Sequence, residues 1–284
     1  MDRATKKYVL VIFGSLFCLN VLAWLAVWEL SRQRPLEVNF FDIGQGDSIF
    51  LQTPERRQIL IDGGPDSAVL EKLGKEMPFW DRTIDLVILT HPEHDHISGL
   101  IEVLKRYKVK NILWTGILRD TAEYREWKEL IQKEEANIYI AKAGQCVILD
   151  VTQLCVLYPF ESLEGQKFKD SNNTSIVAKL IFGETSFLFT GDVCKSVERK
   201  LLGLAEQLDS DVLKVGHHGS KTSTAPEFVE AVSPEVAVVS VGKDNYYGHP
   251  HPETIQALEG TRFFRTDWDG DIKVISDGID YYVK

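Results

Sequence analysis

The chain has 284 residues, a formal net charge of −10, 44% hydrophobic residues and 26% charged ones. That composition is ordinary for a globular protein and excludes a disordered or low-complexity chain. The acidic balance speaks against a generic nucleic-acid binder, which carries a basic face, and suits a metalloenzyme whose carboxylate ligands count as negative until ions are bound.

The first element is an apolar run. Tyr8 to Trp28, YVLVIFGSLFCLNVLAWLAVW, is 21 residues without a charge, long enough to span a bilayer at about 1.5 Å per residue. Arg3, Lys6 and Lys7 precede it, while Arg32 and Arg34 follow, so the positive-inside signal is weak. The stretch WELSRQRP after the core holds no small-x-small cleavage site. The sequence therefore predicts an uncleaved anchor over residues 1–35 and a single pass through the cell membrane. Residues 36–284 are expected to lie outside the cytoplasm.

From Leu36 short strands and helices alternate. LEVNFFDIG, DSIFLQT and RQILIDGG read as strands, SAVLEKLGKEM as a helix, and IDLVILT as a buried strand running into His91. HISGLIEVLKRY has helical apolar spacing, KNILWTG reads as a strand, and TAEYREWKELIQKEEA as a long amphipathic helix. QCVILDVTQLCV reads as a hairpin turning at Asp150-Val151, which sets Cys146 opposite Cys155. The two are either a cross-strand disulfide in an oxidising compartment or a pair of buried thiols. Two strands (IVAKLIFG, TSFLFTGD), a helix (SVERKLLGLAEQ), the strand DVLKVG, a helix (APEFVEAV) and the strand VAVVSVG follow. Asp269-Gly270 is a hairpin-turn signal in the closing strands. No linker interrupts residues 36–284, so one α/β domain with two mixed sheets and helices outside is expected.

The chemistry concentrates in LTHPEHDHISGL, where His91, Glu93, His94, Asp95 and His96 crowd into six positions. Imidazole and carboxylate together suit zinc, manganese or iron better than magnesium or calcium. His91 and Glu93 alternate onto one side of a short extended loop. Asp95 and His96 follow where the chain turns into a helix, and point elsewhere, toward a second ion. His94 falls out of phase with both pairs and is the poorest ligand of the five.

HPEHDH resembles the His-x-His-x-Asp-His signature of the metallo-β-lactamase superfamily, with Glu93 where the commonest form has a second histidine. An acidic residue there is familiar in the C-terminal nuclease-like domain of ComEC-type competence proteins for DNA uptake. FFDIGQGDSIFLQT, LIDGG, NNTSIVAKLIFGETSFLFTGD, DVLKVGHHGSKTS, YGHPHPE and RTDWDGDIKV are similar to that branch in the same order, from residue 37 to about 277.

The resemblance implies an αββα sandwich, two mixed sheets flanked by helices, behind one N-terminal transmembrane helix. It implies two divalent ions, Zn or Mn, with Asp192 bridging them and His91, Glu93, Asp95 and His96 as ligands. One histidine of HHGS completes the ligand shell of the second ion, His218 in preference to His217, which then faces the substrate. Asp62 either orients a ligand histidine or caps the turn before Gly63-Gly64. The extra charge of Glu93 favours manganese. Gly44, Gly46 and Asp47 make a hairpin turn or serve the site. Asn173, Thr174 and Ser175 bind phosphate oxygens or start a strand. Ser220 and Ser223 anchor a phosphate or cap the helix near Ala225. His249 completes a metal shell or donates a proton, and His251 reads as a loop histidine. His217, His249 and Asp95 are the candidate catalytic groups.

The function this implies is membrane-anchored phosphodiester hydrolysis, with DNA as substrate during uptake. One span cannot form a conduit, so a separate DNA channel protein is the expected partner. The alternatives are an envelope phosphodiesterase acting on another phosphodiester, and a non-catalytic module that binds DNA or a partner.

Overall fold

Strands that are apolar at every position have two faces to bury, and here both are covered. The computed structural model describes residues 2–31 and 34–284 and divides into two compact units, Met1–Arg34 and Pro35–Lys284.

The first unit is one helix, Arg3–Ser31. Its stretch Arg3–Leu25 has a mean hydropathy of 2.2 and solvent-facing side chains, and it is long and apolar enough to cross a membrane.

The second unit holds two large sheets, besides a two-stranded one of Thr83–Ile84 and Lys108–Val109. The eight-stranded sheet runs, in spatial order, Tyr281–Val283, Ile272–Ser276, Leu36–Phe40, Ile49–Gln52, Gln58–Ile61, Leu86–Leu89, Asn111–Trp114 and Asn137–Ile140. The seven-stranded sheet runs Arg262–Arg265, Val236–Val239, Val212–Lys214, Thr185–Phe189, Val177–Phe182, Thr152–Tyr158 and Cys146–Leu149. Both are mixed: the strands from Gln58–Ile61 to Asn137–Ile140 are parallel, as are those from Thr185–Phe189 to Arg262–Arg265.

Alternation along each strand sorts the side chains into layers. Ile49, Leu51, Ile59, Ile61, Leu86 and Ile88 meet Phe187, Phe189, Val212 and Val236 between the sheets. Their neighbours Phe50, Leu60, Val87 and Leu89 face outward and pack against the helices Ala68–Glu76, His94–Leu104 and Ala122–Lys133. On the other side Leu188 and Leu213 pack under the helices Lys195–Leu201 and Pro226–Val232. The result is the expected sandwich of helix, sheet, sheet and helix.

Two local readings change. The turn signal at Asp269-Gly270 does not join a hairpin, because the strands on either side belong to different sheets. Between them Thr266–Asp269 forms one helical turn, tied down by the Thr266 hydroxyl, which accepts from Val241 N at 2.8 Å and donates to Val241 O at 2.9 Å. At the other end of the seven-stranded sheet, Cys146 and Cys155 are opposite partners and form a disulfide with Cα atoms 4.1 Å apart. The alternative of two free thiols is thereby set aside.

The turns that follow the parallel strands converge at one end of the sheets, the usual place for a site in such folds. Asp62, Thr90-His91, Gly191-Asp192, Val215 to His218 and Ser240 all follow directly from these strands.

Candidate metal centre

The centre is assembled from several chain turns held together by close backbone contact. Gly63 and Gly99 lie so near each other that a Cβ on Gly99 would stand 1.8 Å from Gly63 O, so only glycine lets the His94–Leu104 helix approach the Asp62 turn. Gly46 does the same for the 44–47 turn, where a Cβ would stand 2.3 Å from Asp95 O. Asp47 N donates to that same carbonyl.

Asp192 Oδ2 is the focus. His218 Nε2 lies 3.3 Å from it, His96 Nε2 3.4 Å, His217 Nε2 3.8 Å and His91 Nε2 4.0 Å. Asp95 Oδ2 stands 3.2 Å from His218 Nε2. Asp95, His96, Asp192 and His218 each offer one ligand atom, all within 4.8 Å of one another. The strained HHGS turn makes this possible: both histidines have left-handed backbone, φ 49° and 54°, which directs His218 into the buried centre and leaves His217 at the rim.

A layer of buried polar groups supports these rings. Asp62 accepts from His96 Nδ1 at 2.7 Å and from the Thr90 hydroxyl at 2.6 Å and amide at 2.8 Å. Thr90 Oγ1 lies 3.1 Å from His91 Nδ1, so one carboxylate orients both histidines. His218 Nδ1 is placed by Ser240 O at 2.9 Å. Asp47, Asp62 and His96 form a second possible ligand group. Of these, Asp62 already holds the His96 ring and Asp47 is ion-paired with the buried Lys214 ammonium.

Several expected residues sit elsewhere. Glu93 is outside the cluster of four: its carboxylate accepts from Arg119 Nη2 at 2.5 Å and from the Ser171 hydroxyl. Glu93 precedes the helix with extended backbone (φ −88°, ψ 154°), which aims it at the 119 and 171 loops, whereas Asp95 and His96 occupy the first helical turn. His94 is exposed, beside Ser98 Oγ and Glu123. Asn173, Ser175 and Ser223, offered as phosphate contacts, are scaffold groups. Asn173 Oδ1 accepts from Cys194 N, Ser175 Oγ donates to Asn172 O and accepts from Asp192 N, and Ser223 Oγ donates to Val193 O. Ser220 is buried and shares its hydroxyl with Thr222. His249 stands at the rim, its ring 5.7 Å from that of His217 and 6.5 Å from that of His218, with His251 5.0 Å beyond it.

Sequence reasoning left Asp47 between a turn and the site, and missed Lys214 altogether. A charged residue in the apolar run DVLKVG was the available signal, since lysine is almost never fully buried without a partner.

Comparison with known proteins gives the family. The profile of the metallo-β-lactamase superfamily matches residues 41–243. The chain belongs to the metallo-β-lactamase superfamily. It is 35% identical to ComE operon protein 3 of Bacillus subtilis (strain 168), over 96% of this chain and 37% of that protein. It is 31% identical to competence protein ComA of Neisseria gonorrhoeae, over 86% of this chain and 33% of that protein. The chain thus spans about a third of the length of these relatives. Among solved structures, the fold is similar to the metallo-β-lactamase fold protein YhfI from Bacillus subtilis, with TM-score 0.57 and 15% identity over 82% of this chain and 96% of that one. It also resembles CmlA, a diiron β-hydroxylase from Streptomyces venezuelae, with TM-score 0.51 and 14% identity over 83% of this chain and 53% of that one.

The residues of this metallo-β-lactamase centre fit a divalent ion. Ligand atoms about 2.0–2.1 Å from a tetrahedral zinc stand roughly 3.3 Å from each other, and the spacings among Asp95, His96, Asp192 and His218 include 3.2, 3.3 and 3.4 Å. Nε2 of His91, His96 and His218 and Oδ1 of Asp192 are buried without a hydrogen-bond partner, which is costly for polar atoms unless a cation takes them. Burial opposes ionisation of Asp192, yet His218 and His96 outweigh it and hold the carboxyl far below its ordinary range. Burial likewise opposes charging of His96 and His218, but Asp192 and neighbouring carboxylates raise both, so protons and an ion compete for the same nitrogens. His91 is pushed down to about 3 by burial and by the charge of His96, which leaves its Nε2 a neutral ligand atom. Fold and donor set together mark the chain as a metal-dependent hydrolase of the superfamily.

Proposed function

We propose that the chain is a membrane-anchored phosphodiesterase that cuts DNA during uptake, working beside a separate channel protein, with its hydrolase unit outside the cytoplasm. The observation that carries the reading is the convergence of four histidine Nε2 atoms on one buried carboxylate oxygen within 4.0 Å. The likeness to competence proteins supports DNA over other phosphodiesters, the apolar helix Arg3–Ser31 supports the anchor, and the disulfide supports an oxidising compartment.

Asp95, His96, Asp192 and His218 would hold one divalent ion, with His91 and Asp192 toward a second. Divalent ions supply neutralisation of the phosphoryl oxygens and a water acidic enough to act as nucleophile at neutral pH. Asp62 keeps His96 and His91 in the tautomers that present Nε2. His217 and His249 border the place where the leaving oxygen departs. Burial lowers both, His249 to about 4 with the help of the His218 and His217 charges, so each is neutral at pH 7. An anionic diester beside them raises these values and equips one of them to donate a proton to the leaving alkoxide.

The test uses the purified full chain with single-stranded DNA, duplex DNA and bis-p-nitrophenyl phosphate, each with manganese, zinc or magnesium. Metal-dependent DNA cleavage is expected. Asp192→Ala is expected to bring it to background and to lower bound metal by elemental analysis, with circular dichroism unchanged. Retained cleavage in that variant would sink the mechanism. Hydrolysis of the small diester alone would move the reading to an envelope phosphodiesterase.

A further inference from the structure

The loop that carries His249 also carries two tyrosines that the hydrolytic centre does not use. Tyr246 is fully exposed and Tyr247 two-thirds exposed. Large aromatic rings left in water gain nothing from packing, and adjacent ones at the mouth of a site mark a surface that something else covers.

The loop is not a loose one. Asn245 clamps it with three hydrogen bonds: its Nδ2 donates to Gly242 O at 2.9 Å and to His249 O at 2.8 Å, and its Oδ1 accepts from His249 N at 2.9 Å. Gly242 N is fastened in turn to Gln45 Oε1 at 3.1 Å, on the turn that bears Asp47. The rings are therefore presented on a braced support, which lowers the cost of ordering them on binding. Tyr247 lies nearly parallel to the His249 ring, 22° apart with centroids at 5.5 Å, and His249 is 5.7 Å from His217, whose Nε2 is 3.8 Å from Asp192. A flat group laid on Tyr247 thus sits two ring contacts from His217 at the metal centre.

We propose that Tyr246 and Tyr247 are a stacking platform for nucleobases, which selects single-stranded nucleic acid among phosphodiesters; this rests on the phosphodiesterase reading above. In a nucleic-acid strand every base hangs beside a phosphate, so a base held on Tyr247, two ring-to-ring steps of 5.5 and 5.7 Å from His217, leaves its strand running past the centre. A polyol phosphodiester has no flat face to lay there. Duplex bases are stacked on one another already, so only unpaired or end bases can use the platform. An acidic protein also gains by it, since stacking binds a polyanion without requiring a basic groove.

The experiment compares the full chain, loaded with manganese, on oligodeoxythymidylate and on a backbone of the same length made of abasic units. Stacking on one base is expected to favour the thymidylate about tenfold or more in kcat/KM. Y246A/Y247A should cut both oligomers at the wild-type abasic rate, whereas Y246F/Y247F, which keeps the rings, should retain the preference. Equal cleavage of the two oligomers by the wild type overturns the platform and leaves the phosphodiesterase standing. So does a preference that survives Y246A/Y247A. If the wild type cuts neither oligomer, the phosphodiesterase reading fails and this one with it.

Discussion

The floor and the rim of the centre are built on opposite principles. Asp47, Asp62, His96, Asp192, Lys214 and His218 are all 2% exposed or less, and each is held by another charged group of the same set. At the rim, Glu93, His217 and His249 are partly exposed. The floor stands as a network in which every charge is matched by a neighbour. The rim keeps its groups accessible, so substrate recognition belongs there. A buried network of this kind is costly to interrupt, whereas a rim side chain can change without disturbing the fold.

The largest effect should come from breaking the floor. Lys214→Met removes the ammonium that touches Asp47 and lies 3.7 Å from Asp192, leaving two buried carboxylates without their fixed cation. A loss of about 3–5 kcal/mol is expected from urea unfolding. A loss below about 1 kcal/mol would show that the floor is not a charge network at all.

Glu198 sharpens the contrast, because it is a buried carboxyl with no cationic partner in contact among the described residues. It accepts only the amides of Thr224 and Ala225, behind the HHGS turn, and burial pushes it up to about 7. The native state then holds a proton that the unfolded chain has already lost between about pH 4.5 and 7, so stability falls as pH rises through that range. Relative to Glu198→Gln, which does not titrate, the wild type should lose up to about 3 kcal/mol between pH 4.5 and 7.5. A flat difference would place Glu198 with the charge-compensated groups.

The smallest effect is expected at the edge. His94→Ala removes an exposed ring beside Ser98 and Glu123 and should change stability by less than about 0.5 kcal/mol, with metal content unchanged. A drop in bound metal would overturn its exclusion from the centre.

What the sequence made legible follows from how local each signal is. The buried strand before His91, the helix after it and the turn before Asp192 are contiguous patterns, and they lead to the sandwich and to most of the clustered side chains. The Asp47–Lys214 pair joins residues 167 positions apart, and neither neighbourhood announces the other. Glu93 fails for a related reason: Arg119 and Ser171 come from distant loops and draw its carboxylate away from the histidines that adjoin it in the chain. Ser175 and Ser223 read in sequence as candidate phosphate contacts, yet the backbone just past the strand Thr185–Phe189, at Asp192 and Val193, consumes their hydrogen bonds.

Lys214 bears also on the order in which the protein matures. A small metal-folded domain cannot assemble its ligands until the ion arrives, because nothing else offsets their charge. Here a cation built into the chain already sits beneath the carboxylates. The scaffold can therefore be complete before any metal is captured. The side chains that would hold the ions are then set by the folded scaffold, and the choice of metal would fall to the ions available to it rather than to the folding event.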